Sequence, residues 1–312
     1  MAGYPLRHLV TACAIVTVTA PRQGSCAVND LKYSFGDTDA ARQRLDLLSS
    51  IFDPPSRAFL AVAVGRRPRL AVDLGCGPGN TTRMVSTVTR ADRTVGLDHS
   101  AAFIAEARAR GGAGLGFAVW DAASRLPYDE IDLIYARLLL AHLASPADHL
   151  ARWTPSLSPG GQLLLDELEV IETGNDVLAE YLAVVTALVR ANGAEMFAGP
   201  VLARLRAPDG YALASSEVVE LPVAPAAAAG MFRLNLEVWR TDEWVLGNCG
   251  AAVIGSLAGR LDTLAGAGSR AGITWKMRHV VIRRHDRDES RSVSARLHLT
   301  ARQPPAGSGD SR

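Results

Sequence analysis

The segment Val72-Asp73-Leu74-Gly75-Cys76-Gly77-Pro78-Gly79-Asn80 constrains this chain more than any other stretch. Leu70 to Leu74 is a short apolar run that reads as a buried strand. Three glycines follow at alternate positions, and Asn80-Thr81-Thr82 can then open a helix. Glycine lets the backbone turn sharply out of a strand and leaves no Cβ to block a ligand lying against it. The helix that follows points free N–H groups and the positive end of its dipole at the same spot. Strand, glycine turn and helix in this order predict an α/β unit that receives a nucleotide-type ligand. The glycine spacing narrows which one.

A dinucleotide loop of the nicotinamide type needs Gly-x-Gly-x-x-Gly, the third glycine packing helix on strand. Here the pattern is Gly75-x-Gly77-x-Gly79, with Asn80 where that third glycine would stand and an acid at Asp73. The stretch resembles motif I of the class I S-adenosylmethionine-dependent methyltransferases, D/E-x-G-x-G-x-G. In that family the strand-end acid and the loop backbone hold the methionine part of the cofactor.

The segments downstream follow in the order the resemblance implies. Thr94 to Leu97 reads as a second strand ending in Asp98-His99-Ser100, and a carboxylate there can accept hydrogen bonds from both ribose hydroxyls. Leu115 to Val119 reads as a third strand, followed by Trp120-Asp121-Ala122-Ala123-Ser124-Arg125-Leu126-Pro127. This resembles the family's D-A-x-x-L-P segment, whose Asp accepts from the adenine amino group, although one extra residue precedes Leu-Pro here. Trp120 could pack on the adenine face. Ile131 to Ala136 reads as a fourth strand, then Arg137 to Leu143 as a turn, and Ser158-Pro159-Gly160-Gly161 precedes a fifth strand at Leu163 to Asp166. The implied fold is α/β: a Rossmann-like, doubly wound, seven-stranded, mostly parallel sheet with helices on both faces, plus an N-terminal helical lid and a helical cap insertion. The implied contacts to S-adenosyl-L-methionine fall on Asp73, Gly75, Cys76, Gly77, Gly79, Asp98, His99, Trp120, Asp121, Ala122 and Arg137, the last through its backbone.

Composition agrees with one large α/β domain and an insertion: 312 residues, 48% apolar, 21% charged, net charge +1. No strong field draws such a chain to nucleic acid or membrane, so neither is expected as a partner. The basic residues are nearly all arginine and form no run of the nucleic-acid type. Cys13, Cys26, Cys76 and Cys249 match no zinc or dense disulfide spacing, and no metal is expected. Cys76, inside the loop where a small side chain is needed, reads as packing rather than as a nucleophile.

Arg7-His8 followed by the apolar run Leu9 to Ala20 has the outline of a secretory signal, with Ser25-Cys26-Ala27 as a cleavage site. A secreted enzyme of this type would lack its cytosolic cofactor. The expectation is therefore a cytoplasmic protein whose residues 1–28 are a disordered extension or a mis-assigned start, with a true signal as the alternative. Residues 29–66 read as a lid of two helices broken at Pro54-Pro55, with Tyr33 and Phe35 as lid residues. The core is expected at 67–170, the cap helices and last strands at 171–285, and a flexible tail at 286–312, in which Arg296 to Thr300 could add a strand.

After the fifth strand, Asn175 to Ala191 is an amphipathic helix whose stripe Leu178, Tyr181, Leu182, Val185, Leu188 and Val189 reads as core or as a homo-oligomer contact. The family often inserts a helical cap here. Val218 to Leu221 and Ile273 to Arg283 read as the last strands, with Met231 to Ala265 largely helical between them.

A methyl group on a positively charged sulfur needs little beyond placement, and a base only where the acceptor must first lose a proton. His142, after the fourth strand, and Glu167, after the fifth, are the candidate bases. Tyr33 and Glu169 are candidate acceptor contacts. The function expected is methyl transfer to the O, N or C atom of a small molecule, in secondary metabolism. A cofactor-binding fold turned cyclase or scaffold is the alternative, and a nicotinamide oxidoreductase is disfavoured by Asn80 and the Asp121 segment.

Overall fold

In the computed structural model, residues 39–266 and 272–286 are described. Tyr33, Phe35, the 1–28 extension and the Arg296 to Thr300 strand lie outside them. The chain runs α1 (Asp39–Ala63), β1 (Leu70–Leu74), α2 (Asn80–Thr89), β2 (Arg93–Asp98), α3 (Ala101–Arg110), β3 (Leu115–Val119) and β4 (Ile131–Arg137). It continues through α4 (Pro146–Trp153), β5 (Leu157–Thr173), α5 (Asp176–Ala191), α6 (Gly199–Leu202), β6 (Tyr211–Val223), α7 (Pro225–Trp239), α8 (Glu243–Cys249), α9 (Ala251–Gly266) and β7 (Ile273–Arg284).

The seven strands form one sheet in the order β3-β2-β1-β4-β5-β7-β6. The first five pair in parallel, and β7 runs antiparallel between β5 and β6. Strand alternation sends Leu133 and Tyr135 to one face, against Phe59 and Leu60 of α1 and Met84 and Val85 of α2. Ile134 and Ala136 go to the other, against Leu150 and Trp153 of α4 and Leu202 of α6. The sheet order reverses between β1 and β4, which is where open α/β sheets bind ligands at their carboxyl ends.

β5 continues past that carboxyl edge, pairing Leu168 to Thr173 with Met277 to Ile273, and β6 carries Val219 to Val223 alongside. Helices α7 to α9 leave from the end of β6 and return at the start of β7, so they sit over the same edge. The cap expected directly after α5 is thus built mainly by an insertion between β6 and β7. Its core joins the α5 stripe (Leu178, Tyr181, Leu182, Val185, Leu188, Val189) to Phe232, Leu236, Leu257, Trp275 and Met277, each fully buried aliphatic side chain contributing roughly 1.5–3 kcal/mol. Asn175 caps α5 by accepting from Val177 and Leu178 N–H at 3.0 and 3.2 Å.

Two expectations need correction. The lid's two helices are a single α1 that runs through Pro54 and Pro55. Proline removes backbone donors and normally breaks a helix, but here tertiary contacts override it. Phe52 and Leu60 are buried on either side of the prolines, and Asp53 and Ser56 are hydrogen-bonded to Arg137 of β4. β6 is also longer than Val218 to Leu221, because Tyr211 to Glu217 pairs with β7 as a largely exposed edge with no apolar stripe to announce it.

Candidate active site

The loop between β1 and α2 is held in shape from below. Gly75, Gly77 and Gly79 all have positive φ (68°, 51° and 88°), the left-handed region that side chains other than glycine rarely adopt. A Cβ on Gly79 would lie 2.8 Å from the Phe117 ring and 2.6 Å from the Arg83 guanidinium. Asp73, fully buried, accepts the Thr81 and Thr82 hydroxyls on Oδ2 at 2.6 and 2.7 Å. Its Oδ1 has no hydrogen-bond partner. Burial pushes the Asp73 carboxyl up to about 6 against the pull of both threonines. Cys76 is buried against Ile104, Ala107 and Phe117, and burial raises its thiol far above the usual value.

Asp98 closes the other side of the loop. Its Oδ2 accepts from Gly77 N–H at 2.8 Å and its Oδ1 from Ser100 N–H at 2.9 Å. Each carboxylate oxygen can still accept a second donor. His99, mostly exposed, keeps its Nδ1 3.4 Å from Asp98 Oδ1. Asp121 is exposed and turns back to accept from Ala123 N–H at 2.8 Å. That turn is braced by the Ala122 carbonyl, which lies 3.1 Å from both His149 Nδ1 and Trp153 Nε1. Trp120 departs from the expected adenine platform: its indole is buried against Trp153 and donates to the Arg125 carbonyl at 3.1 Å, so it packs beneath the turn.

α1 crosses the loop. The Leu45 side chain would lie 3.5 Å from a Cβ on Gly77, and the Asn80 amide donates to Asp46 at 2.8 Å. The Arg137 side chain, buried, pairs with Asp53 at 2.9 Å and reaches Ser56 at 3.2 Å. It therefore anchors α1 to the edge of β4, a role its place in the sequence did not announce. Asp166, opposite Arg137 in the sheet, accepts the Ser56 and Tyr135 hydroxyls at 2.5 and 2.9 Å and lies 3.2 Å from His279 Nε2.

The two candidate bases are held differently. His142 ends the turn Leu140–His142, and burial, the Arg44 charge and His99 push its imidazole down to about 3. A general base works best with a pKa near the working pH. Glu167 is fully buried, and its Oε1 accepts from Leu139 and Leu140 N–H at 2.9 and 2.8 Å. Burial pushes its carboxyl up to about 8. It anchors the loop after β4, where Leu138 holds a positive φ of 53°. Glu169, the candidate acceptor contact, is paired with Arg278 at 2.6 Å, and the Gly199 backbone packs directly against it.

The folded protein holds the Glu167 proton more tightly than the unfolded chain does. Stability from this group is therefore present below the ordinary glutamate pKa and lost as pH rises toward 8. Glu167→Gln keeps a carbonyl acceptor and removes the titration. Its unfolding free energy, from denaturant melts at pH 5 and pH 8, should change less than the wild type's, and a parallel decline in both would contradict the assignment. Transfer activity should stay within about threefold, because loss of a true general base costs roughly 10²–10⁴.

A groove of about 800 Å³ runs between the end of β5 and α5, past Ile171, Leu182, Thr186 and Phe197. It touches neither the glycine loop nor the Asp98 and Asp121 turns. Among the described residues, no group of three or more His, Cys, Asp or Glu side chains is placed to hold a metal ion, and no helix is long and apolar enough to cross a membrane.

A strand-end acid, a left-handed glycine loop and a second carboxylate at the sheet's reversal point define a site of the S-adenosylmethionine type. Residues 72–165 match the family described as Methyltransferase domain. Among curated proteins, the chain is 36% identical over 187 residues to a trans-aconitate 2-methyltransferase of Methylobacterium radiotolerans, covering 60% of this chain and 66% of that protein. It is 37% identical over 128 residues to one of Streptomyces avermitilis, covering 39% and 44%. The chain thus matches less than two thirds of the length of these relatives. Among solved structures it resembles one from Anaeromyxobacter dehalogenans described as a type II methyltransferase (TM-score 0.51, 18% identity, 74% of this chain and 96% of that one). It also resembles a methyltransferase structure from Bacillus halodurans (TM-score 0.50, 16% identity, 74% and 99%). At such identity these structures speak for the fold alone. Residues 72–165 thus carry a methyltransferase domain, and its motifs resemble those of the class I S-adenosylmethionine-dependent methyltransferases, whose cofactor is S-adenosylmethionine.

The site fits this cofactor. The unpartnered Asp73 Oδ1 is a buried acceptor next to the loop, the three glycines leave the loop surface clear, and Asp98 retains acceptor capacity for a pair of hydroxyls.

Proposed function

We propose that this protein transfers a methyl group from S-adenosylmethionine to a carboxylate oxygen of a small organic acid. The observation that carries the acceptor class is the state of the two candidate bases. His142 is a poor proton acceptor at about 3, and Glu167, fully buried, spends Oε1 on two backbone N–H groups of the post-β4 turn. A phenol or alcohol would have to give up a proton first. A carboxylate arrives ionised at neutral pH and needs no base. The trans-aconitate 2-methyltransferases among the relatives support the same class.

In this reading Asp98 and the Gly77 and Gly79 backbone hold the nucleoside, the Asp121 turn meets the adenine, and Asp73 takes the amino group of the methionine part. When bound, S-adenosylmethionine supplies a methyl on a positively charged sulfur that leaves in one in-line displacement. α1 lies across the loop and excludes water, while Glu167 holds the post-β4 turn in one geometry.

Incubation with methyl-labelled S-adenosylmethionine and a panel of acceptors tests the proposal, with trans-aconitate in one arm and phenolic secondary metabolites in another. Label is expected in a base-labile methyl ester of the acid. Label only in the phenols would overturn the acceptor class, and cofactor binding without any transfer would favour a scaffold or cyclase.

A further inference from the structure

Arg83 of α2 lies against the glycine loop on the side packed on β3, and its guanidinium is spent on backbone carbonyls. Nη1 donates to the Gly79 and Pro78 carbonyls at 2.9 and 3.3 Å. Nη2 donates to the Ala107 and Gly111 carbonyls, in the last turn and at the C-cap of α3, at 3.2 and 3.3 Å. The Phe117 ring of β3 supports the group, its centroid 5.5 Å from the guanidinium carbon. All four bonds end on carbonyls rather than on a carboxylate. The side chain is half-buried, and burial together with the Arg110 charge draws its pKa below the usual value. Bonds from a charged donor are the strong class, and two of these four fall on the loop itself.

The same contacts explain why position 79 admits no side chain. A Cβ there would lie 2.6 Å from Arg83 Nη1 and 2.8 Å from the Phe117 ring, so guanidinium and ring fill the space it would need. A trans peptide is planar, and its C=O and N–H point in opposite directions. Holding the Gly79 carbonyl on Arg83 therefore turns the Asn80 N–H away from Arg83. That N–H is one of those a helix leaves unpaired at its start. The other two bonds tie the loop to α3, which begins at the turn after Asp98, where Ser100 caps it by accepting from Phe103 N–H at 3.2 Å. One side chain thus joins the segment of the glycine loop to the helix that follows the second carboxylate.

We infer that Arg83 is a positioning residue for S-adenosylmethionine: by pinning the Pro78 and Gly79 carbonyls it keeps the glycine loop in the left-handed course that receives the cofactor. It acts through the loop and does not touch the ligand. Without it, the loop carbonyls and the end of α3 lose a shared donor, and the loop samples courses that the cofactor must first select against. The effect falls on cofactor binding rather than on the transfer step. The inference rests on the cofactor site of the proposed function and adds to it the residue that shapes the loop.

Calorimetric titration with S-adenosylhomocysteine tests it, because binding is read without an acceptor. Arg83→Ala removes the guanidinium and leaves a cleft between Phe117 and the four carbonyls. S-adenosylhomocysteine affinity is expected to fall at least about tenfold. Millimolar guanidinium chloride, far below denaturing concentrations, is expected to restore most of that loss by occupying the cleft, whereas ammonium chloride at the same ionic strength is not. With any acceptor that takes label, KM for S-adenosylmethionine should rise while kcat at saturating cofactor stays within about threefold. Arg83→Lys keeps the stem and the charge but replaces the planar fork by a single ammonium. Should the alanine variant fold poorly, the lysine variant carries the test, with affinity reduced about fivefold at an unchanged melting temperature. Affinity within about twofold of wild type in the folded variants would overturn the role. A loss that guanidinium does not restore would assign Arg83 to helix packing and overturn it equally. A wild type that fails to bind S-adenosylhomocysteine would instead remove the cofactor site on which the inference rests.

Discussion

Asp98→Asn is expected to weaken S-adenosylhomocysteine binding by two orders of magnitude or more. The carboxylate accepts Gly77 N–H and Ser100 N–H at 2.8 and 2.9 Å, and each oxygen keeps a lone pair for a ribose hydroxyl. Charge-assisted hydrogen bonds contribute about 1.5–3 kcal/mol each. Losing the charge weakens both ribose contacts, and turning an amide NH₂ toward one of the backbone donors loosens the loop as well. A total of about 3–4 kcal/mol corresponds to roughly 150- to 1,000-fold in affinity. Calorimetry on the folded variant reads this directly, and an affinity within about threefold of wild type would refute the ribose assignment.

Asp166→Asn is expected to destabilise the fold by about 3–5 kcal/mol, because breaking a buried charge network leaves its partners unpaired. Asp166 accepts from Ser56 and Tyr135 and lies 3.2 Å from His279, while Arg137 beside it holds Asp53. These contacts tie α1 to the sheet across the edge where the cofactor binds. Burial raises the Asp166 carboxyl, but His279, Arg137 and the Ser56 hydroxyl outweigh it and hold the group below the usual carboxylate range. A depressed carboxylate stabilises the fold above its unfolded pKa of about 4, and this is lost as pH falls through its folded value. The wild type should therefore lose its margin over the variant below about pH 4. A variant that melts like the wild type at pH 7 would show that α1 is held by its apolar contacts alone.

How much of this was legible in the sequence varies with range. The β1–α2 loop was readable because its information is local: glycines at alternate positions require left-handed backbone, and Asp73 stands directly before them. The α5 stripe was readable for the same reason, since its apolar spacing records one buried face. The fate of charged residues was not. Arg137, Glu167 and Glu169 read as site residues because they follow strands, but their partners are Asp53, the Leu139 and Leu140 backbone, and Arg278. Those partners lie between 27 and 109 positions away, so no local pattern encodes them. His142 failed as a base for a similar reason: Arg44, which helps depress it, comes from α1. The pair of prolines misled because propensity is a weak prior that tertiary packing overrides. Tyr181 read as one more residue of a stripe, and only the convergence of α5 with α7 shows that its hydroxyl is satisfied by Asn235 and Trp239.

The central claim is that Asp73, the glycine loop and Asp98 form the cofactor site at the carboxyl edge of the sheet. A crystal structure with S-adenosylhomocysteine bound tests it most directly. The account predicts both ribose hydroxyls on Asp98, the adenine at the Asp121 turn and the amino group at Asp73. A ligand seated elsewhere, such as the groove between β5 and α5, or one with its ribose turned away from Asp98, would contradict it.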